Sequence, residues 1–452
     1  MNKNDIIKLT VGSVTDDGAG VGRYDGMVVF VPFAAVGDVL YVRIVKTAKT
    51  YCYGRIESII TPSADRISPD CKAFGKCGGC AFRHISYEAE LRAKEEMIRS
   101  AFTHIGGLSP EFLPIIPNET VNGYRNKAQY PVARDKDGKL VSGFFAVRSH
   151  RVVPCENCAL ESAIFGEIRS FTLEKCAELG ISPYNEELHN GVLRHICIRR
   201  GHWSGEICVV LVVRRNVPEL KKLAAMLTKR FPEIRGVVAD INKERTNVIY
   251  GDEDITLCGA PEISDTMLGK RFVISPKSFY QVNTPMAERL YAEAGRLADA
   301  GGKTLIDLYC GIGTVGLSIA DSAEKLIGVE IIPAAVENAK KNAELNGFTN
   351  AEFYCGDAGK VTSLLREKGL KADVVTVDPA RKGCDSATLD NIVSFAPERI
   401  VMISCNPATA ARDCKYLAEH GYNTVSVRGV DLFSRTIHVE AVILLEKTHN
   451  SL

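Results

Sequence analysis

The C-terminal part of the chain constrains the fold most strongly, because apolar segments recur there at regular intervals. Between residues 271 and 452 these segments are TLIDLYC, KLIGVEII, AEFYCGD, ADVVTVDPA, ERIVMISCN and TVSVRGVDLF. The stretches between them, such as AAVENAKKNAELNG, have a helical pattern. This alternation predicts an α/β fold built on a parallel, doubly wound sheet.

The remainder of the chain has two further patterns. Residues 1–66 contain short β-rich segments and the turn signals Asp17-Gly18 and Asp25-Gly26, which predict a small barrel of the OB type. Residues 67–270 contain a cysteine-rich segment, a helical stretch near 86–104 and the predicted strands RHICIRR, EICVVLVVR and RGVVADIN, which indicate a central α+β domain. Three domains, 1–66, 67–270 and 271–452, fit a chain of 452 residues.

Composition limits the functional classes. The chain is 46% hydrophobic and 25% charged, without a run of eighteen apolar residues or a signal-peptide core, so we expect a cytoplasmic protein that does not bind membranes. Fifteen cysteines in that compartment indicate metal binding, catalysis or core packing rather than disulfides. The net charge is only +1, but residues 121–151 carry seven Lys or Arg against two Asp. That segment is either an RNA-facing surface or a solvated hairpin.

A glycine-rich turn follows the first apolar strand of the C-terminal region. TLIDLYC leads into GIGTVG, where glycines allow the backbone to turn sharply and approach a ligand. Glu330 ends the next strand, where a carboxylate accepts hydrogen bonds from ribose hydroxyls, and Asp357 follows the third strand near the expected adenine position. The combination indicates an S-adenosylmethionine site of the class I methyltransferase type, with an NAD site as the alternative.

A cysteine lies at the end of a later strand, in VMISCNPATAARD. We expect Cys405, Asp378 and Glu440 to lie at or near strand carboxyl ends, where open α/β sheets build their sites. One thiol and one base are the groups required to methylate carbon 5 of a pyrimidine. The thiolate adds to carbon 6 and makes carbon 5 nucleophilic, and the base then removes the carbon 5 proton. Cys405 and Glu440 suit these roles, although Cys405 could also be a half-buried structural thiol.

Five segments carry a family resemblance: SPKSFYQVNT (275–284), DLYCGIGTVGL (307–317), VDPARKG (377–383), SCNP (404–407) and FSRTIHVE (433–440). In order and spacing they resemble the RNA uracil-5-methyltransferase family, bacterial 23S rRNA branch. The resemblance implies a class I methyltransferase domain with Cys405 as nucleophile and Glu440 as base. It also implies contacts to S-adenosyl-L-methionine from Gln281, Tyr309, Glu330, Asp357 and Asp378. Two departures are Ala380, where a second proline is more usual, and Thr314, where some members have a polar amide.

The cysteine-rich segment CKAFGKCGGC provides Cys71, Cys77 and Cys80, and VVPCENCAL provides Cys155 and Cys158. Four thiolates fit zinc or a [4Fe–4S] cluster. Zinc would pair Cys77 and Cys80 with Cys155 and Cys158. The resemblance to the rRNA branch instead implies a [4Fe–4S] cluster held by Cys71, Cys77, Cys80 and Cys158, with Cys155 as an additional thiol.

The N-terminal segment GSVTDDGAGVGRYDG resembles the opening of a TRAM domain, an OB-like RNA-binding module. Its aromatic residues Tyr24, Phe30, Phe33 and Tyr51 could stack on bases, and YRNKAQYPV (124–132) matches the family. We therefore expect a monomeric enzyme that methylates an unstacked uridine in a loop or unfolded segment of 23S rRNA. The alternatives are a tRNA enzyme of the same family, cytosine-5 methylation, and a non-catalytic iron–sulfur RNA-binding protein.

Overall fold

The computed structural model describes residues 1–448 and begins with a closed five-stranded barrel. Inward-facing residues alternate with exposed ones along the first strand, so that Ile7, Leu9 and Val11 enter the barrel core. The predicted OB-like barrel is confirmed, with strand order β1-β2-β3-β5-β4. Its strands are β1 (Ile6–Val14), β2 (Gly20–Tyr24), β3 (Met27–Val31), β4 (Val39–Thr47) and β5 (Tyr51–Thr61).

The cysteine loop, residues 71–80, leads from the barrel into the predicted helix. This helix is α1 (Tyr87–Ser100), and a π-helical turn, Ala101–Gly106, extends it. Ser86 caps α1 by accepting a hydrogen bond from the Ala89 amide. The next element, β6 (Glu111–Ile116), pairs with a strand of the C-terminal sheet, so the range predicted for the central domain contributes one strand to that sheet.

The central region is a seven-stranded sheet of order β13-β12-β11-β10-β7-β8-β9, covered on one face by two helices. A separate hairpin, β14-β15, follows it. The three-domain division at residues 66 and 270 stays a prediction. The elements are β7 (Lys127–Arg134), β8 (Leu140–Phe145), β9 (Val152–Pro154), α2 (Ala163–Glu178), β10 (Leu193–Arg200), β11 (Ile207–Val213), α3 (Pro218–Arg230), β12 (Ile234–Ile241), β13 (Glu253–Gly259), β14 (Ile263–Met267) and β15 (Lys270–Ile274).

The C-terminal region is the predicted doubly wound sheet, of order β18-β17-β16-β19-β20-β22-β21-β6, with helices on both faces. Its elements are α4 (Thr284–Ala298), β16 (Thr304–Leu308), α5 (Thr314–Ile319), β17 (Lys325–Glu330), α6 (Pro333–Leu345), β18 (Ala351–Cys355), α7 (Ala358–Glu367), β19 (Val374–Val377), α8 (Ser386–Phe395), β20 (Arg399–Ser404), α9 (Pro407–Glu419), β21 (Tyr422–Val430) and β22 (Glu440–Lys447). The six predicted apolar strands are all present.

One strand differs from the predicted parallel arrangement. β22 lies between β20 and β21 and runs antiparallel to both. The apolar pattern of a buried strand is the same in either direction, so the sequence did not reveal this. No helix within residues 1–448 is long and apolar enough to cross a bilayer.

Candidate active site

Cys405 and Glu440 lie at the same edge of the C-terminal sheet. Cys405 is the first residue after β20, and Glu440 is the first residue of β22. Ser404 pairs with Ala441 in the antiparallel ladder, so the next residues outward on the two strands are Cys405 and Glu440. Glu440 was expected near a strand carboxyl end, but it begins its strand. The antiparallel direction of β22 brings this amino end to the edge where the parallel strands end.

The loop that contains Asp378 is attached to the start of α9 beside Cys405. The Asn406 side chain accepts a hydrogen bond from the Ala408 amide (3.1 Å) and donates one to the Arg381 carbonyl (3.0 Å). Thr409 donates a second hydrogen bond to the same carbonyl (3.3 Å). The Arg381 guanidinium contacts the ring of His438 at 3.1 Å. Arg381 is therefore fixed close to Cys405 and Glu440, and the sequence motifs gave it no role.

Burial perturbs the acids and the thiol of this edge. It raises the pKa of Glu440 to about 8, and the charge of Asp378 contributes while Arg381 opposes the shift. Burial, with the charge of Asp307, raises the pKa of Asp378 to about 7. Burial and the charges of Glu440 and Asp378 raise the pKa of Cys405 to about 11, again against Arg381. A cluster of perturbed groups in one place is typical of a catalytic site.

A tyrosine that the sequence did not single out connects further residues to this edge. The side chain of Tyr291, on α4, is buried beside Gln281 and Thr314. It lies close enough to Asp378 and Glu440 for their charges to raise its pKa together with burial. Gln281 is itself buried, which agrees with a position inside the site rather than at the surface. Tyr291 resembles any other apolar-face position of an amphipathic helix, so no sequence signal identified it.

The glycine-rich turn is fixed by two carboxylates. Buried Asp307 accepts hydrogen bonds from the Gly316 amide (2.9 Å) and the Thr376 hydroxyl (2.8 Å). Glu330 accepts from the amides of Gly311 (3.1 Å) and Ile332 (2.8 Å). Gly311 has φ +57°, and a Cβ added there would meet no atom within 4 Å, so the turn faces open space.

This turn fits the nucleoside end of S-adenosylmethionine. The open backbone at Gly311 allows close approach, and the Glu330 carboxylate lies beside it at the end of β17. Two further residues that were predicted to contact the cofactor form hydrogen bonds within the protein. The Tyr309 hydroxyl donates to Thr388 on α8 (3.3 Å), and Asp357 caps α7 by accepting from the Lys360 amide (3.1 Å). The structure thus brings Gln281, Glu330 and Asp378 to the site edge, and the cofactor roles of all five residues stay predictions.

Cys405 also lines an open cleft of about 690 Å³. Residues 13–16 of the barrel, α1 and its π-helical extension, and His438 form the other walls. The N-terminal barrel is therefore directly beside the candidate nucleophile. Phe30 and Tyr51, two of the predicted stacking residues, pack with Tyr53 on the barrel surface, whereas Phe33 packs on Phe74.

The predicted cluster ligands converge on a second cavity, of about 360 Å³. It is lined by Cys71, Cys77, Cys80, Cys155 and Cys158 together with the cations Arg83, Arg125 and Lys127. Arg83 Nε donates to the Cys80 sulfur (3.4 Å), and the Gly79 amide donates to the Cys77 sulfur (3.3 Å). Within residues 1–448, no three His, Cys, Asp or Glu side chains converge closely enough to hold a single metal ion.

The seven cations of the basic segment 121–151 form two groups, one pointing inward and one exposed, and exposure alone does not decide between an RNA-facing surface and a solvated hairpin. Lys127 points inward, and burial and the charge of Arg199 lower its pKa to about 8. Arg125 also lines the cysteine cavity, and its buried Nε has no hydrogen-bond partner. The other cations, Arg134, Lys136, Lys139, Arg148 and Arg151, are exposed around the β7–β8 hairpin and the turn that follows β8.

Comparison with known proteins decides the family. Residues 86–448 match the model of the tRNA (Uracil-5-)-methyltransferase family, and residues 2–56 match the TRAM domain. The chain belongs to the tRNA (uracil-5-)-methyltransferase family. It is thus a member of the S-adenosylmethionine-dependent RNA uracil-5-methyltransferases with an N-terminal TRAM barrel, as the motifs predicted.

The relatives match this chain over almost its whole length. An uncharacterized RNA methyltransferase of Halalkalibacterium halodurans is 42% identical over 99% of this chain and 98% of its own length. An uncharacterized RNA methyltransferase of Clostridium tetani is 38% identical over 98% of this chain and 97% of its own length. A solved structure of Pyrococcus abyssi tRNA (uracil-54, C5)-methyltransferase in complex with S-adenosyl-L-homocysteine is 26% identical, with a TM-score of 0.78 over 97% of this chain and 99% of that one.

Proposed function

We propose that this protein transfers a methyl group from S-adenosylmethionine to carbon 5 of a uridine in 23S rRNA, with Cys405 as nucleophile and Glu440 as base. The antiparallel register that places Cys405 beside Glu440 carries the proposal. The two groups that carbon 5 methylation requires are thereby adjacent, at the edge to which the glycine turn also opens.

The chemistry follows from these positions. The Cys405 thiolate would form a bond to carbon 6, which makes carbon 5 nucleophilic. Carbon 5 would then take the methyl group as the bond between that methyl and the sulfonium sulfur breaks, and S-adenosyl-L-homocysteine would leave. Glu440 removes the carbon 5 proton, the C5–H electron pair forms the C5=C6 double bond, and the C6–S bond breaks to release the thiolate. Asp378 and Gln281 would orient the base or the methyl donor, and Glu330 would bind the ribose. Tyr309 and Asp357 would complete the cofactor site.

The RNA class is the finer part of the proposal. The rRNA assignment rests on the motif resemblance and the cysteine segment. The barrel does not discriminate, because the similarity to the Pyrococcus abyssi tRNA enzyme covers 97% of this chain, barrel included. That similarity favours tRNA as the second candidate. In either case the cleft beside Cys405, with the barrel as one wall, would admit an unstacked nucleotide.

Methyl transfer from labelled S-adenosylmethionine to unmodified 23S rRNA and to bulk tRNA, followed by nucleoside analysis, tests the proposal. We expect label in 5-methyluridine of 23S rRNA. Label in tRNA alone would establish the second candidate. A Cys405→Ala variant that still binds RNA but transfers no methyl group would exclude the non-catalytic alternative.

We further propose that Cys71, Cys77, Cys80 and Cys158 hold a [4Fe–4S] cluster. The cavity they line contains Arg83, Lys127 and the unpartnered Arg125 Nε, a set of cations that would balance an anionic thiolate cluster. Zinc–sulfur bonds of about 2.3 Å would require tightly grouped thiols, whereas the sulfides of a cluster separate its ligands more widely. A bound cluster would cross-link the cysteine loop to the segment after β9.

Iron, acid-labile sulfide and zinc analysis of protein purified without oxygen tests the cluster directly. We expect about four irons and four sulfides per chain. Stoichiometric zinc without sulfide would instead support the site formed by Cys77, Cys80, Cys155 and Cys158.

A further inference from the structure

The segment that joins β21 to β22, residues 431–439, is anchored by residues outside the catalytic sheet. This segment, here called the base loop, ends immediately before Glu440 and carries His438, the partner of Arg381. Arg435 in its middle has φ +68°, a backbone conformation that non-glycine residues adopt only where their surroundings impose it. Contacts from α1 and from the cysteine loop supply that constraint.

Lys94 of α1 is the centre of the first set of contacts, and its side chain is fully buried. Its ammonium donates to Asp431 (2.6 Å) and to the Phe433 carbonyl (3.2 Å) in the base loop, and to Glu90 one turn earlier on α1 (2.7 Å). Glu90 in turn accepts a hydrogen bond from the Arg435 amide (2.6 Å). One buried ion network therefore fixes the base loop at positions 431, 433 and 435.

Tyr87, at the start of α1, adds a second connection. Its hydroxyl donates to the other carboxylate oxygen of Asp431 (2.6 Å) and accepts from the Asn118 amide (2.6 Å). Ser434 donates to the same Asp431 oxygen (2.6 Å). The Asp431 carboxylate thus accepts three side-chain hydrogen bonds, from Lys94, Tyr87 and Ser434, which hold it in one orientation.

The cysteine loop provides the third connection. The amides of Ala81 and Phe82, which directly follow Cys80, both donate to the Arg435 carbonyl, at 2.9 and 3.2 Å. The Arg435 side chain donates to the Ile85 carbonyl (3.1 Å). The chain segment that carries a candidate cluster ligand therefore contacts the backbone of the loop that leads to Glu440.

A contribution to the free energy of folding does not explain well why this network consists of buried charges. Buried ion pairs often contribute little net stability, because desolvation of the charges offsets their attraction, and apolar packing would serve a purely structural role. What the charges provide here is directionality, since each contact specifies the position of one base-loop atom. The base loop also contacts Arg381 through His438. The charge of Arg381 lowers the pKa of Glu440, so the position of the loop affects that pKa.

We infer that Lys94 and Tyr87 are positioning residues for Glu440, and that they act on the last step of the reaction. The inference rests on the proposed function. If the base loop shifts, Cys405 can still form its bond to carbon 6 and methyl transfer can still occur. Removal of the carbon 5 proton becomes slow, because proton transfer depends on the position of the base. The methylated RNA then stays attached to Cys405.

Tyr87→Phe and Tyr422→Phe form a matched pair for the test. Each removes one hydroxyl hydrogen-bonded inside the protein, but Tyr422 donates to the Pro397 carbonyl (3.1 Å) and pairs with Lys447 at the far end of β22 from Glu440. Methyl-labelled S-adenosylmethionine and RNA are incubated with each variant. Denaturing gels then measure label that migrates with protein, and nucleoside analysis measures free product. RNA affinity and Tm are measured in parallel.

For Tyr87→Phe we expect product release to fall about 10- to 100-fold, with label accumulating on the protein and RNA affinity unchanged. Tyr422→Phe should release product like the wild-type protein, whatever its loss of Tm. Lys94→Met, which removes the network centre, should show the stronger effect wherever it folds. Equal release and no adduct in Tyr87→Phe and Tyr422→Phe would overturn the inference. Failure of the wild-type protein to label any RNA would instead count against the proposed function.

Discussion

The pKa of Glu440 gives a quantitative prediction for the release of the product. With a value of about 8, the ionised fraction of Glu440 is about one half at pH 8, about one tenth at pH 7 and about one hundredth at pH 6. Only the ionised carboxylate can accept the carbon 5 proton. Breakdown of the methylated adduct should therefore be about fifty times faster at pH 8 than at pH 6.

The assay isolates this step from the earlier ones. The labelled adduct is formed in one turnover, the solution is shifted to a chosen pH, and the label on the protein is followed over time. Glu440→Gln is the reference variant, because its adduct should persist at every pH. Thiol ionisation does not contribute, since Cys405 is already bound to carbon 6.

Asp378→Asn then tests the physical cause. The charge of Asp378 contributes to the raised pKa of Glu440, so its removal should move the midpoint of the pH profile below 8 and make breakdown at pH 7 faster relative to its maximum. A pH-independent breakdown rate between pH 6 and 8 would refute the assignment of Glu440 as base. An upward shift in Asp378→Asn would refute the electrostatic argument.

Three further predictions concern other parts of the site. Gly316→Ala places a Cβ 2.9 Å from an Asp307 oxygen, so it should raise the KM for S-adenosylmethionine about tenfold or more, whereas Gly301→Ala, whose nearest atom is at 3.5 Å, should not change it. Cys405→Ala should form no protein–RNA adduct on denaturing gels while its RNA affinity in filter binding stays unchanged. Glu440→Gln should raise Tm by several degrees at pH 9 but little at pH 5. The pKa is raised from 4.5 to about 8 in the folded state, so the fold loses stability as pH rises from about 4.5 to about 8, and the amide avoids that loss.

The sequence singled out candidate residues of this site, but it did not show how the fold arranges them. Cys405 could be singled out because its thiol follows an apolar strand in the motif SCNP. Glu440 could be singled out because its carboxyl precedes an apolar run in the motif FSRTIHVE. The sequence did not show that the two residues are adjacent, because this depends on β22 running antiparallel to β20. The apolar pattern of a buried strand does not indicate in which direction the strand runs. Tyr291 was missed for a similar reason, since a buried helix face and an active-site wall have the same apolar periodicity.

Polar contacts between residues far apart in the chain also could not be predicted from the sequence. Lys94 lies in YEAELRAKEEMIRS, where alternating charges are typical of an exposed helix face, yet its side chain is fully buried against Asp431. The two residues are 337 positions apart, so no local pattern could pair them. Similarly, charge alone could not separate inward-pointing Arg125 and Lys127 from the exposed cations of the same segment.

If Cys405 and Glu440 act as proposed, the raised pKa of Glu440 serves both ends of the reaction. An ionised Glu440 raises the pKa of Cys405, so a carboxylate with an ordinary pKa would oppose thiolate formation throughout the neutral range. Burial keeps Glu440 mostly protonated at pH 7, which removes that opposition while the thiol attacks. Once Cys405 is bound to carbon 6 it carries no charge, and ionisation of Glu440 no longer has this cost. A base with a pKa of about 8 is thus neutral when the nucleophile must ionise and still available when the carbon 5 proton must leave.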